Sequence, residues 1–284
     1  MASTQMLEPQ EILDTCIHKA EVKANGGFVK LFVLSFLAGV FIAFAAEGSN
    51  MAAFNLFAEA DTYGLGKVLA GSIFGTGLML VLLAGGELFT GNTLIITAVV
   101  DKKVRVLAML RNWLIVYIGN FVGSIFIAWM MYESGLFSSG AFMLGVVTLK
   151  IATYKVGLTY LQAFLLGIMC NWLVCLAVWL CYGAESMVGK IFAIFFPIWL
   201  FITSGFEHSV ANMYYIPAGI LSKANDTIVN LALEHGVTQS AIDALTWKSF
   251  FINNLIPVTL GNIVGGGVFV GCAYMLAYKF GKKK

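Results

Sequence analysis

Charge is what this 284-residue chain has least of: Asp, Glu, Lys and Arg make up 11% of it, while 60% is hydrophobic. Soluble domains carry roughly 25% charged residues. With a mean hydropathy of +0.87, the chain reads as an integral membrane protein. No basic patch interleaves with exposed aromatics, which excludes nucleic acid as a partner. The five cysteines, Cys16, Cys170, Cys175, Cys181 and Cys272, form no C-x-x-C pair, and their number is odd. Four sit in apolar runs, so small apolar packing is their expected role rather than disulfide or metal chemistry. Glu8, Glu11 and Asp14 precede Lys19, which is not the basic-then-apolar order of a cleavable signal peptide. No nucleophile with a base and no His-x-x-x-His pair is present. The chain is therefore not read as an enzyme, and no cofactor or metal is expected.

What the chain does have is long uncharged runs, at 31–46, 68–86, 112–132, 156–184, 191–206 and 249–278. A helix needs about 20 apolar residues to cross a bilayer core. The second run resumes after Glu87 as far as Val100, and the fifth after Glu207 as far as Ser222. Each composite is too long for one straight helix and too short for two spans with a turn. Six spans, the second and fifth broken, are the economical count. Placing both termini in the cytoplasm puts twelve lysines and arginines inside and five outside, as the positive-inside rule asks. The expected location is the cell's inner or plasma membrane, with lipid as the surrounding partner.

The two breaks carry the same motif, G-x-E-x-x-x-x-N. Gly85, Glu87 and Asn92 supply it first, then Gly205, Glu207 and Asn212. Each break is followed by a second match: Asn112, Gly119, Asn120 and Gly123 against Asn254, Gly261, Asn262 and Gly265. Three spans per half implies halves of opposite orientation, an inverted 3+3 repeat relating 28–135 to 156–280, which is the pattern of a transport pathway. Residues 1–27 read as a cytoplasmic amphipathic segment resting on the membrane or on a neighbouring subunit, with Ile12, Cys16, Ile17 and Ala20 at helical spacing. Residues 28–280 form the six-span domain and 281–284 a basic cytoplasmic tail. The segment 225–246 is expected to be an outside loop with a short helix.

Carboxylates inside a membrane are costly and ordinarily functional. Glu87 and Glu207 are expected to accept from the loops' free amides, with direct substrate contact as the alternative. His208 is the one histidine in an apolar span, placed in the second break, where a group titrating near neutrality suits a pathway role. Lys155 stands just before the fourth span, as a surface charge or a vestibular attractor. Gly265 and its neighbours Gly266 and Gly267 favour close helix packing. Phe74, Phe201, Leu78 and Leu88 cannot be told from core residues by pattern alone.

The first break (85–92), the stretch 170–179 and the second break (204–213), together with 254–265, resemble the formate/nitrite transporter family over about residues 28–280. That resemblance implies an aquaporin-like arrangement of six spans in a homopentamer, each subunit with its own pore. The family's break threonine falls on Thr90, its pore histidine on His208, the neighbouring asparagine on Asn171 and the vestibular lysine on Lys155. An outer apolar constriction falls on Phe74 and Phe201 with Val174 alongside, and an inner one on Leu78 and Leu88. Glu207 and Asn212 complete the expected pathway. Met213 through Ile220 look more like formate than nitrite channels. The expected function is a channel or transporter for the small monovalent anion of a weak acid, formate foremost, with proton coupling. Nitrite or hydrosulfide channels of the same family are alternatives. A neutral-solute channel is the competing class, and His208 counts against it.

Overall fold

A computed structural model describes residues 6–58 and 60–281 as helices joined by short turns. The expected tail at 281–284 lies outside the described residues except for Gly281, as do the first five residues of the N-terminal segment. Six helices are long and apolar enough to cross a membrane: Phe28–Phe57, Ala60–Gly85, Val106–Glu133, Tyr160–Gly183, Met187–Ser204 and Trp247–Phe280. The second and fifth are each followed by a further apolar helix, Phe89–Val100 and Ser209–Ser222.

The first span runs past the expected end at Ala46, continuing as far as Ala58. Glu47 ended the uncharged run in the sequence, yet its side chain turns inward and accepts a hydrogen bond from the Tyr214 hydroxyl. A buried carboxylate with a hydroxyl partner lets the helix continue where an unpaired charge would not.

The N-terminal helix, Pro9–Ala24, starts with a capping box between Glu8 and Glu11 and has Pro9 in its first turn, where a missing N–H costs nothing. Its apolar face packs against the rest of the same chain. Leu13, Cys16 and Ile17 are buried in one cluster with Leu94, Ile95 and Ala98 of the first half-helix and Cys175 and Val178 of the fourth span. Burying a side chain such as Leu13 contributes about 1.5–3 kcal/mol, and the half-helix offers it the nearest apolar surface. The segment 225–246 holds two short helices rather than one, Asp226–Glu234 capped by Asn225 and Gln239–Ala244 capped by Thr238.

Both breaks are set by backbone geometry. Gly85 takes φ +102° after a π-helical last turn, and Gly86 and Leu88 are extended before the next helix starts at Phe89. Gly205 ends the fifth span at φ +77°, where the Gly205 amide donates to Ile202 O and the Phe206 amide to Phe201 O. Those two bonds make a Schellman stop, which requires a left-handed residue and therefore favours glycine.

The third span crosses the first, and the sixth crosses the fourth, at glycines without room for a side chain. A Cβ at Gly123 would lie 2.1 Å from Phe36 O, and one at Gly265 would lie 2.2 Å from Ile168 O. These close approaches lie within one subunit. Gly265→Ala is expected to force the two helices apart and cost about 1–3 kcal/mol or more, lowering the melting temperature of the detergent-solubilised protein by several degrees. An unchanged melting curve would show that the crossing has slack.

Candidate functional site

A helix interrupted inside a membrane leaves amides and carbonyls that must find partners. In the first break the Glu87 amide donates to Leu34 O and the Phe89 amide to Asn120 Oδ1 at 2.9 Å, while Asn120 Nδ2 donates to Ser35 O and Glu87 O. In the second break the Glu207 amide donates to Leu166 O and the Ser209 amide to Asn262 Oδ1 at 2.9 Å, while Asn262 Nδ2 donates to Gly167 O and Glu207 O. The amides of Phe89 and Ser209 are thus held by asparagines of the following span and those of Glu87 and Glu207 by carbonyls of the first and fourth spans, none of the four by a glutamate carboxylate. An amide side chain can accept and donate at once, which a carboxylate cannot.

The two glutamates do something else. Glu207 Oε1 accepts from Lys155 Nζ at 2.6 Å, and Oε2 accepts from Asn212 Nδ2 at 2.6 Å and Asn254 Nδ2 at 3.1 Å. Glu87 Oε2 accepts from Lys23 Nζ at 2.8 Å and from Asn92 Nδ2 at 2.7 Å. The helices that bring the lysines are tied down in the same way, because Asn254 Nδ2 donates to Lys155 O and Asn112 Nδ2 to Lys23 O. Each break therefore holds a glutamate, two asparagines and a lysine from a helix outside the spans. The paired pattern reaches beyond the expected bounds 28–135 and 156–280, since Lys23 and Lys155 both lie outside them.

Lys155 is not in a loop. It sits in the last turn of the helix Met143–Val156, buried, with its ammonium 5.3 Å from the centre of the Tyr215 ring. Sequence reasoning missed Lys23, reading it only as a topology charge. The signal was faint because Lys23 precedes its glutamate by 64 residues and Lys155 precedes its own by 52, so a fixed-register comparison does not align them.

Between the breaks stands His208. Its Nδ1 accepts from the Ala211 amide at 3.0 Å, capping the helix Ser209–Ser222, and its Nε2 lies 3.0 Å from Thr90 Oγ1 in the other break. An Nδ1 that accepts carries no proton, so the ring proton sits on Nε2 and that nitrogen donates. Thr90, His208 and Asn171 are all buried. Asn171 does not bond the histidine. Its Nδ2 donates to Thr90 O at 3.1 Å, Thr93 Oγ1 at 3.1 Å and Asn262 O at 2.6 Å, holding the threonine that faces the ring.

Phe201 lies 6.0 Å from the His208 ring centre, and Phe74 meets Phe201 edge-on at 5.7 Å. Val174, Leu78 and Leu88 are buried in the same apolar core as the two phenylalanines. A cavity of about 540 Å³ opens toward the Lys155 face of the molecule. Its walls include Lys155, Glu207, His208, Phe201 and Asn212. Asn212 Oδ1 is buried with no partner, while its counterpart Asn92 Oδ1 accepts from Lys23 Nζ at 3.0 Å.

Residues 10–276 match the formate/nitrite transporter family. A probable formate transporter of Methanothermobacter thermautotrophicus is 39% identical, the alignment covering 95% of this chain and 96% of the relative. The formate channel FocA of Escherichia coli (strain K12) is 38% identical over 90% of this chain and 89% of its own. Among solved structures, a pentameric formate channel with formate bound superposes with a TM-score of 0.77 at 39% identity, covering 88% of this chain and 97% of that one. An FNT family ion channel superposes at 0.78 with 29% identity, covering 94% and 98%.

Proposed function

This chain belongs to the formate/nitrite transporter family, and from that premise we propose that it conducts formate across a cell's plasma membrane. Its relatives are channels and transporters, two of them named for formate and one solved with formate bound. In our reading it works as a homopentamer with a pore in each subunit. Both termini are cytoplasmic, so the Lys155 cavity faces outward and Lys23 faces the cytoplasm.

The central obstacle is the cost of taking a small anion out of water, several kcal/mol even after relaxation. The ion pairs Lys155–Glu207 and Lys23–Glu87 mark the two ends of the dry stretch. Between them the anion passes Phe74, Phe201 and Val174 on one side and Leu78 and Leu88 on the other. The observation that carries the reading is the hydrogen bond from His208 Nε2–H to Thr90 Oγ1 between those apolar layers, two groups that can each turn a donor to an anion once that bond opens. A carboxylate slipped between them gains hydrogen bonds in place of its lost water, and charge-assisted bonds are the stronger kind. A weak acid can also take up its proton in the vestibule beside Lys155 and cross in neutral form. That is the proton-coupled mode, with His208 as the donor that stations it. Because the Ala211 amide occupies Nδ1, a proton handed over from Nε2 has no ready replacement on the ring.

Uptake of labelled formate, nitrite and hydrosulfide into proteoliposomes, in parallel at two pH values, tests the proposal. Formate is expected to enter fastest, with flux rising as pH falls toward its acid form. Faster uptake of nitrite or hydrosulfide would reassign the substrate within the family, and water or glycerol flux alone would make the pore a neutral-solute channel.

A further inference from the structure

We infer that the outer cavity contains an anion-docking subsite separate from Lys155, built on Lys67 with Asn50 and Thr203; the inference rests on the transport reading above. Lys155 is the natural attractor by position, but its ammonium is engaged at 2.6 Å by Glu207, so the pair presents little net charge to an incoming ion. Lys67 differs. It lies in the second span, half-buried, and among the described residues no carboxylate pairs with it and no hydrogen bond occupies its ammonium. Its Nζ stands over the fifth-span break, 3.6 Å from where a Cβ on Gly205 would be.

The surroundings point to a ligand independently. Asn50 is only 2% exposed, lines the same cavity and leaves its Nδ2 without an acceptor. Thr203, also on the cavity wall, leaves its buried Oγ1 unpartnered, close to the Gly71 position one turn beyond Lys67. Buried donors in folded proteins are almost always satisfied. One cation and two unsatisfied donors lining one cavity ask for an acceptor-rich anion, and a small carboxylate or other oxyanion meets the demand. Gly205 keeps the approach open, since a side chain there would stand against the Lys67 ammonium. An unpaired cation in a low-dielectric cleft concentrates anions before the dry stretch.

Formate uptake by right-side-out and inverted membrane vesicles separates this subsite from the rest of the path. Lys67→Gln is expected to raise the half-saturating formate concentration roughly tenfold from the Lys67 face at low ionic strength. Saturation from the opposite face should stay as in the parent. The gap should close as salt shortens the Debye length from about 30 Å to about 3 Å. Lys67→Arg, which keeps the charge, should restore the parent's behaviour, whereas a packing defect would not be repaired by the larger side chain. Lys67→Gln that saturates like the parent, a change equal from both faces, or a loss that Lys67→Arg shares would each overturn the subsite. Parent vesicles that take up none of formate, nitrite or hydrosulfide would overturn the transport reading instead.

Discussion

Lys155→Ala will destabilise the protein by about 3–5 kcal/mol, because it strands the Glu207 carboxylate inside the membrane without its cation. The carboxylate keeps its two asparagine donors, Asn212 and Asn254, but loses the one positive charge that neutralises it. Glu207→Gln should cost a similar amount by stranding the ammonium instead. The double variant Lys155→Ala/Glu207→Gln should recover most of the loss, since it removes both charges together. Thermal unfolding of all four proteins in detergent closes the cycle. If the single variants melt like the parent, the pair is too well hydrated to matter. Transport has a separate readout: Lys155→Arg keeps the ion pair and part of the flux, while the double variant, neutral like the pair it replaces, should still admit anions from that face through Lys67.

The second large effect is expected at His208. His208→Phe fills the space between Phe201 and Thr90 and removes the ring donor there, so formate flux should fall at least about a hundredfold, the upper end of what losing one bond to a charged group explains, before occlusion is added. His208→Asn should keep part of the flux. Its amide can still accept from the Ala211 amide or donate toward Thr90 Oγ1, though a side chain of that length cannot do both. Full flux through His208→Phe would move the path away from this residue. A His208→Asn variant with the parent's full flux would leave the His208–Thr90 bond without a part in conduction.

The spans and breaks were legible because each leaves a mark that physics forces on the sequence. An uncharged run of membrane length has one common use, and a carboxylate between two glycines in such a run needs a special reason. The repeated asparagines were visible as a motif, but not their task. That Asn120 and Asn262 hold the loop amides, leaving Glu87 and Glu207 to hold lysines, depends on which atoms meet across spans. Glu47 misled in the other direction. A charge normally ends an apolar run, and only the distant Tyr214 shows why this one does not. Lys67 carried no signal at all, since an unpaired lysine near a helix end reads as a solvated charge until the cavity beside it is seen.

The helix Pro9–Ala24 has one more consequence, for anyone trimming the gene. A protein started at residue 28 would keep every side chain named along the pore and all six crossings. It would nevertheless lose the ammonium that Glu87 and Asn92 share, and the carbonyl that receives Asn112. The leading residues thus finish the electrostatics of the first break, and a protein without them would expose an acid where this one shows a neutral rim.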